Sequence, residues 1–475
     1  MPSADTIKSV SSGATSELTK SLRSRHVAMI SIGGIIGAGL FVGSSAAIST
    51  VGPAVVLSYL LAGATVLMVM RMLSEMAAAV PGLGSFTEYI RRGLGDWAGF
   101  VSGWLYWYSW VIVVAIEAVA GAGILHTWIA LPTWQLVLGL MVIFTTINLM
   151  SSRSYGEFEF WFSSIKVAAI ILFIVITGAY VLGLTSDPTP SVANLVAHRG
   201  FAPFGWLAVL AGMTTVVFSM CGAEIATIAA AESNESTRVI SRMTSTIILR
   251  IFLFYVLSVL LVVLVVPWVE IRAGDSPFAL ALARTHIPAA GTIMNLIVLT
   301  AVLSCLNSGL YVTSRVLFTL AARGDAPKSL VALNRRHVPA RAILLGSSLG
   351  FFAVILSIVS PDGLFAFLVN ASGALMILVY LLACFAHLRL RAHLERDAPE
   401  RLSIRVWFFP WLSYATVAAM LGVLMAMALR PELSSQLYSS IFACAVAAAA
   451  YWLRQRGSPR AGAQPDPSAR LSMKP

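Results

Sequence analysis

Three ionisable residues lie deep within long apolar stretches of the sequence and could do chemistry there. Lys166, Glu117 and Glu224 are each flanked mainly by apolar and small residues. A charge in such surroundings is costly unless it is paired or hydrated, so it marks a candidate functional site. A buried lysine donates up to three hydrogen bonds and could stand where a sodium ion would otherwise sit. A buried carboxylate could carry a proton or meet a cationic group.

Each of these residues also has a structural interpretation, and the sequence leaves both open. Lys166 could extend toward the cytoplasmic face, since polar residues precede it closely. Glu224 could carry a coupling proton, or it could hydrogen-bond an unwound backbone and hold it open. Glu117 could face a cavity and meet a cationic substrate group or a proton, or it could be a structural carboxylate protonated in place. Arg71 and Glu75 are spaced to pair across one helical turn and are interpreted as structural or gating residues.

The apolar stretches dominate the composition of the whole chain. Of its 475 residues, 58% are hydrophobic and only 11% are charged, whereas a soluble chain has about 25% charged residues. Such a sequence cannot cover a water-facing surface, which excludes a cytosolic enzyme, a nucleic-acid-binding protein and a disordered chain. The four cysteines lie in apolar runs without paired spacing and predict neither a disulfide framework nor a zinc site. The composition therefore predicts an all-α integral membrane protein.

Twelve apolar runs are each long enough to form a helix that crosses a bilayer. These spans are predicted at 27–48, 53–80, 97–125, 133–151, 158–184, 205–231, 246–268, 288–321, 342–360, 363–387, 405–429 and 436–453. A cytoplasmic tail, 1–26, precedes this twelve-helix domain, 27–453. A Pro-, Ser- and Arg-rich tail, 454–475, follows it and is predicted to be cytoplasmic and disordered.

The basic residues predict the orientation of the spans. Of the 32 lysines and arginines, 24 lie in the two termini or in the loops on the same side as the termini. Four lie in the opposite loops and four within spans. By the positive-inside rule, both termini are predicted to lie on the cytoplasmic side of the inner membrane. The net charge of +11 is then expected to face anionic lipid, and no nucleic-acid partner is needed to explain it.

Two of the spans contain residues that interrupt a helix. The first span has four glycines within 33–39, each of which costs about 1 kcal/mol relative to alanine in a helix. The favoured interpretation is an unwound segment, in which the N–H groups of residues 37–39 begin a half-helix and attract a carboxylate. Close helix packing through small residues is the alternative. The sixth span has Gly222 and Glu224 at its middle.

Two interrupted spans that lie five spans apart favour an inverted-repeat transporter with its site at the membrane midplane. On position alone, one repeat covers about 27–184, the other covers about 205–387, and 405–453 forms accessory helices. The seven histidines lie in loops or at span ends, and no catalytic or nucleotide-binding motif occurs. We therefore expect neither an enzyme nor a bound metal or other cofactor. The sequence also lacks the repeated filter or charged ring expected of a channel.

Five motifs occur in order at the predicted spans and carry a family resemblance. They are GGIIGAGLF at 33–41, RMLSEM at 71–76, YGEFEFW at 155–161, FSMCGAE at 218–224, and LSCLNSGLY at 303–311 followed by Ser314 and Arg315. On these residues the chain resembles, over nearly its whole length, the amino acid transporter family of the amino acid–polyamine–organocation (APC) superfamily. Within that family it is most similar to bacterial 4-aminobutyrate (GABA) permeases, along 104–108, 116–123 and 294–315.

The resemblance implies a fold, an activity and a set of site residues. The fold is a LeuT-type five-plus-five inverted repeat with broken helices 1 and 6, and the activity is proton symport of a zwitterionic amino acid into the cytoplasm. The resemblance implies that backbone atoms hold the substrate carboxylate and amine, and that these atoms belong to Ile35, Gly37, Ala38 and Gly39. Carbonyls and an aromatic gate are implied at Phe218, Cys221 and Gly222. Proton coupling is implied at Lys166 and Glu224. Because aromatic, proline and phenylalanine permeases share the general motifs, the alternatives are a permease for proline, aromatic or other neutral amino acids, or an amino acid exchanger.

The chemistry of GABA adds one expectation about Glu117. GABA separates its ammonium and carboxylate groups by three methylenes, whereas an α-amino acid carries both on one carbon. If the carboxylate binds near Gly37–Gly39, the ammonium must find an acceptor farther away, such as a carbonyl of the sixth span or Glu117. We therefore include Glu117 among the predicted substrate-binding residues.

Overall fold

The computed structural model describes residues 36–80, 83, 85–150, 155–185, 192–222, 224, 251–334, 338–359 and 361–457, and the regular elements within these ranges are helical. The α-helices are α1 (Ala38–Phe41), α2 (Gly43–Val51), α3 (Val55–Ala79), α4 (Phe86–Leu94), α5 (Asp96–His126), α6 (Thr133–Met150), α7 (Tyr155–Val181), α8 (Trp206–Ser219), α9 (Ser258–Val265), α10 (Pro277–Ala283), α11 (Ala290–Ala322), α12 (Ala340–Val359), α13 (Pro361–Asp397), α14 (Trp411–Ala428) and α15 (Pro431–Gly457). A π-helical segment, Ile251–Leu257, leads directly into α9.

Nine of these helices are long and apolar enough to cross a membrane, counting only the described residues: α3, α5, α6, α7 and α11 to α15. Each of the nine overlaps one of the predicted spans, so the prediction of an all-helical membrane protein is confirmed at this level. The remaining predicted spans, 27–48, 205–231 and 246–268, contain the shorter apolar helices Ala38–Val51, Trp206–Ser219 and Ile251–Val265. Parts of these three predicted spans, 27–35, 223, 225–231 and 246–250, lie outside the described residues.

The helices differ in how much of their apolar surface is covered by protein. The most apolar parts of α5 and α13 are each 83% buried, whereas those of α6, α14 and α15 are 28%, 33% and 22% buried. The exposed side chains of the last three helices include Ile143, Met425 and Phe442. Lipid tails are as apolar as these side chains, so such a surface costs little within a membrane. Helices α5 and α13 therefore form the centre of the bundle.

At one position, no side chain separates the backbone of helix α8 from that of the central helix α13. A Cβ atom on Gly373 of α13 would lie 2.0 Å from the carbonyl oxygen of Thr214, so only glycine allows this approach. Beside it, the Thr215 hydroxyl donates a 2.6 Å hydrogen bond to Oδ1 of Asn370. Because both of these polar groups are buried, the bond helps to fix α8 on α13.

A buried ion pair joins α3 to the far end of α13. The carboxylate of Glu75 accepts hydrogen bonds of 2.8 and 2.6 Å from Nη1 of Arg391 and lies 3.2 Å from Nε2 of His387. The sequence suggested Arg71 as the partner of Glu75, but Arg71 donates to the carbonyl of Arg405 at 3.0 Å instead. The partner of Glu75 is instead 316 positions away in the sequence, and helical spacing cannot reveal a pair so far apart.

A second carboxylate draws together three further parts of the chain. Asp325 follows α11, and its side chain is only 3% exposed. Its two oxygens bind Arg91 of α4 at 2.5 Å and Arg454 of α15 at 2.6 Å. The indole N–H of Trp104, on α5, donates to the backbone carbonyl of Asp325 at 3.1 Å. The C-terminal end of α15 is thereby fixed to the helices that surround it.

The ion pair between Glu75 and Arg391 predicts a large effect on stability. Removing one partner of a buried pair costs about 3–5 kcal/mol because the remaining charge is left uncompensated. We expect Glu75→Gln to lower the melting temperature of the purified protein in detergent. The matched control is Glu395→Gln, since Glu395 also binds Arg391, at 2.9 Å, but is 45% exposed and should contribute little. Equal melting temperatures for Glu75→Gln and Glu395→Gln would contradict the structural role of Glu75.

Candidate functional site

A backbone N–H group at the start of α1 is bound by a buried carboxylate. Ile36 and Gly37 are not helical, and Gly37 has an extended backbone. The helix begins at Ala38, whose N–H donates to Oε1 and Oε2 of Glu117 at 3.1 and 3.2 Å. An N–H group at a helix start has no partner within its own helix, and a carboxylate is a favourable acceptor for it. Glu117, on the central helix α5, supplies that acceptor.

The end of α8 is also shaped by a buried carboxylate. The helix ends at Ser219, and a turn follows in which Gly222 has a φ of 101°. This left-handed conformation favours glycine. The N–H of Gly222 donates to both carboxylate oxygens of Glu224 at 3.1 and 3.0 Å, and the Tyr380 hydroxyl donates to Glu224 at 3.0 Å. Glu224 thus holds the turn and joins it to α13.

The beginning of α1 and the end of α8 touch each other. A Cβ atom on Gly39 would lie 2.7 Å from the Cα atom of Ser219 and 3.2 Å from the ring of Phe218. The missing side chain at Gly39 allows the two backbones to approach. The two chain segments that the sequence predicted to be interrupted are therefore in contact.

Lys166 also lies close to the non-helical residues before α1. It is fully buried, so the alternative in which it extends to the surface is wrong. Its ammonium group donates to Sγ of Cys305 at 3.5 Å, and the Cys305 thiol donates to the carbonyl of Ile36 at 3.5 Å. Lys166 is also near enough to Glu117 for the two charges to interact. A lysine, a thiol and a carboxylate thus surround the non-helical residues before α1.

These groups enclose a small cavity of about 30 Å³. Its lining residues are Gly37, Gly39, Trp110, Val113, Glu117, Phe218, Ser219, Cys221, Cys305 and Ser308. Of the predicted site residues, Ala38, Gly222, Lys166 and Glu224 contact or adjoin this lining. Ile35 lies outside the described residues.

Sequence reasoning missed five of the lining residues, although helical spacing could have found most of them. Trp110 and Val113 lie seven and four residues before Glu117, on the same face of α5. Cys305 and Ser308 are three apart on α11 and share a face in the same way. The sequence interpretation treated Cys305 as an ordinary core residue, because nothing local distinguishes it from the apolar residues around it.

Two backbone features beside the cavity are suited to opposite charges. The N–H of Ala38 already holds a carboxylate. The nearby C-terminal end of α8, a helix of 14 residues, has carbonyl groups that carry partial negative charge. A zwitterion could satisfy both features at once. In this conformation the cavity has room for about one water molecule, so a larger ligand requires the helices to move apart.

A metal site finds no support in this region. Within the ranges that the structure describes, no group of three or more histidine, cysteine or carboxylate side chains could hold a metal ion.

Comparison with known proteins places the chain among transport proteins. The family model described as amino acid permease matches residues 26–457. The gamma-aminobutyric acid permease of Bacillus subtilis is 46% identical over 424 residues, which cover 89% of this chain and 90% of the relative. The permease of the same name from Escherichia coli is 43% identical over 428 residues, covering 89% and 91%. The aromatic amino acid transport protein of Corynebacterium glutamicum is 40% identical over 423 residues, covering 88% and 91%.

The contact between α1 and α8 predicts that Gly39→Ala is destabilising. The added Cβ atom would meet backbone at 2.7 Å, and overpacking of this kind costs about 1–3 kcal/mol. The control is Gly422→Ala on α14, where a Cβ atom meets nothing within 4 Å and helix propensity improves by about 1 kcal/mol. We expect a lower melting temperature for Gly39→Ala alone. A Gly39→Ala protein as stable as the wild type would show that the two segments are not in close contact.

Proposed function

The chain belongs to the amino acid permease family, and we propose that it imports the zwitterion GABA together with a proton across the bacterial inner membrane. The observation that carries this proposal is a small cavity that lies beside both a carboxylate-binding amide N–H and the carbonyl end of α8. The gamma-aminobutyric acid permeases, 46% and 43% identical over most of the chain, support GABA as the substrate.

The proposal includes alternating access on a LeuT-type fold of twelve spans. One repeat would cover 27–184, the other 205–387, and 405–453 would be accessory helices. The tails 1–26 and 454–475 would both be cytoplasmic. Support comes from the nine apolar helices, from the three shorter helices at the remaining predicted spans, and from the contact between α1 and α8.

GABA would bind at the small cavity after the surrounding helices have moved apart. Its carboxylate would accept a hydrogen bond from the N–H of Ala38, the group that already binds a carboxylate in this conformation. Its ammonium would donate to carbonyl groups at the end of α8, between Phe218 and Cys221, where the helix dipole favours a cation. The three methylenes of GABA would allow its two charged groups to bind these separate partners, whereas an α-amino acid carries both charges on one carbon.

The contact of Glu117 with Ala38 suggests how substrate and proton are coupled. Both the substrate carboxylate and Glu117 would bind the same N–H group, and two negative charges cannot share it at low cost. Protonation of Glu117 removes its charge and allows it to yield this position to the substrate. Proton binding and substrate binding would therefore favour each other, which is the requirement for symport.

Lys166 would provide a fixed positive charge beside this exchange. It interacts with Glu117 and reaches the carbonyl of Ile36 through Cys305. A fixed ammonium group at this position takes the place that a sodium ion would occupy. Uptake should then depend on the proton gradient and be insensitive to sodium.

Transport of aromatic amino acids is the second candidate function. It is favoured by the 40% identity to an aromatic amino acid transport protein. The size of the cavity argues against it, because a space of about 30 Å³ lined by Trp110 and Phe218 must open further for a larger side chain. A benzyl side chain would require a larger opening of the site than the unbranched chain of GABA.

A competition experiment tests the choice of substrate. We expect the purified protein in proteoliposomes to take up labelled GABA under an inward proton gradient. Unlabelled GABA should inhibit this uptake at lower concentration than proline, phenylalanine or alanine, because only GABA carries its two charged groups far enough apart to bind separate partners. Stronger inhibition by phenylalanine would contradict the proposal and support aromatic transport.

Two carboxylate substitutions test the proposed coupling in sodium-free proteoliposomes. We expect Glu117→Gln to retain exchange of labelled for unlabelled GABA. Its uptake should no longer be stimulated by the proton gradient, because the glutamine amide cannot take up and release a proton. Glu224→Gln is the matched variant, since Glu224 is equally buried and binds the backbone N–H of Gly222. It should retain proton stimulation if its role is to hold the turn.

The reverse result would assign the coupled proton to Glu224, as the sequence prediction had it. Loss of stimulation in Glu224→Gln with normal stimulation in Glu117→Gln would contradict the role proposed here for Glu117.

A further inference from the structure

The segment that joins α13 to α14 has one buried face and one exposed face. Its buried side chains are Leu402, Ile404 and Val406. The exposed side chains that alternate with them are Arg401, Ser403, Arg405 and Trp407. Such alternation is typical of an extended backbone, which points successive side chains to opposite sides. Between 401 and 411 the sequence has two arginines and no carboxylate, so the exposed face is positively charged.

Contacts to α3 and α13 hold this segment in place. The N–H of Val406 donates to the carboxylate of Glu75, on α3. The guanidinium group of Arg391, on α13, lies over the ring of Phe409, 4.5 Å from the ring centre. Because both contacts are made by groups that are themselves bound to each other, the segment has a fixed position on the bundle. Its exposed groups are therefore presented in a defined arrangement.

Two guanidinium groups belong to the same exposed face. Arg71 of α3 donates to the backbone carbonyl of Arg405 at 3.0 Å and lies over the ring of Trp407, 5.2 Å from the ring centre. Glu75 is near enough for its charge to interact with Arg71, but its carboxylate is bound by Arg391. The face thus combines two positive groups with the edge of an exposed indole ring.

Phe408 is held outward in a backbone conformation that bulky residues rarely adopt. Its φ is 47°, in the left-handed region, and its side chain is 83% exposed. Strain of this kind persists where the surrounding structure enforces it, most often at functional sites. A phenylalanine ring gains nothing from exposure to water, whereas contact with lipid would cover it. The conformation of Phe408 therefore favours a lipid contact.

Exposed apolar surface continues from Phe408 along α14. Trp411, the first residue of that helix, is 76% exposed, and Tyr414, Leu421 and Met425 are exposed as well. Their spacings of three, seven and four residues place these side chains on one face of the helix. Since α14 is long and apolar enough to cross a membrane, this face extends from the 401–411 segment into the region of the lipid tails.

We propose that the exposed face of the 401–411 segment is a binding site for one anionic phospholipid. The lipid phosphate would accept hydrogen bonds from the guanidinium groups of Arg405 and Arg71. Trp407 and Trp411 would lie at the level of the headgroup, where indole rings are favoured, and an acyl chain would lie along the exposed face of α14. A soluble anion would match only the arginines, whereas a phospholipid matches both the charged and the apolar part. This site is local, and it does not depend on which substrate the protein transports.

Native mass spectrometry of the purified full-length protein in detergent tests this site. Detergent provides no charged bilayer surface, so the measurement detects lipid that is bound directly. We expect dioleoyl phosphatidylglycerol to bind more tightly than dioleoyl phosphatidylcholine. Arg405→Gln should weaken binding of phosphatidylglycerol about fivefold, the factor expected for one arginine beside an anionic lipid. The matched control is Arg396→Gln, which removes an exposed arginine of α13 that donates to the carbonyl of Ala392 on its own helix, and it should leave binding unchanged.

Phe408→Gly is a second variant that tests the apolar part of the site. Glycine adopts a φ of 47° without strain, so the lipid-free variant should melt no lower than the wild type while it binds phosphatidylglycerol more weakly. Equal losses in Arg405→Gln and Arg396→Gln, or unchanged binding in both Arg405→Gln and Phe408→Gly, would overturn the site. Displacement of phosphatidylglycerol by an equal concentration of glycerol 1-phosphate would also overturn it, because the site would then bind soluble phosphate.

Discussion

Inside a membrane, a backbone N–H group that begins a helix must find an acceptor within the protein, because no water is available to supply one. At Ala38 that acceptor is the carboxylate of Glu117 on α5. The contact fixes where the non-helical residues before α1 lie. It also brings a negative charge to the position where a substrate carboxylate would bind. The proposed transport mechanism follows from these two consequences.

The surrounding structure keeps this contact in place. Helix α5 is central and deeply buried, and α8 is fixed to α13 through Gly373 and the bond from Thr215 to Asn370. Away from the site, the ion pairs of Glu75 and Asp325 join helices that are distant in sequence. Because α5 and α8 also line the small cavity, the framework and the cavity share two helices, and movement that admits a ligand falls to the other lining segments, the start of α1 and α11.

The sequence predicted the positions of the helices well, because a long apolar run has few alternatives in a membrane. It also identified Glu117, Lys166 and Glu224, since buried charges are rare enough to attract attention. It left the partners of these residues open. One of the two alternatives for Glu224 was a hydrogen bond to unwound backbone, and the structure has such a bond from Gly222. For Glu117 the alternatives were a cationic substrate group, a proton or a structural role, and its bond to an N–H group 79 residues away was not foreseen. Long-range contacts of this kind depend on how the helices pack, which no local pattern in the sequence records.

Cys305 illustrates the same limit from the opposite direction. It has the composition and setting of an ordinary core residue, but it lies between Lys166 and the carbonyl of Ile36. Only the packing of α11 against α7 and the start of α1 brings these groups together.

The central claim is that Glu117, when the substrate binds, takes up a proton and gives up its hydrogen bond to the N–H of Ala38. Calorimetric titration of GABA into the purified protein, in buffers of different ionisation enthalpy, measures the number of protons taken up on binding. The account predicts uptake of up to about one proton by the wild type, by linkage, and of none by Glu117→Gln. Proton uptake that is the same in both proteins would contradict it.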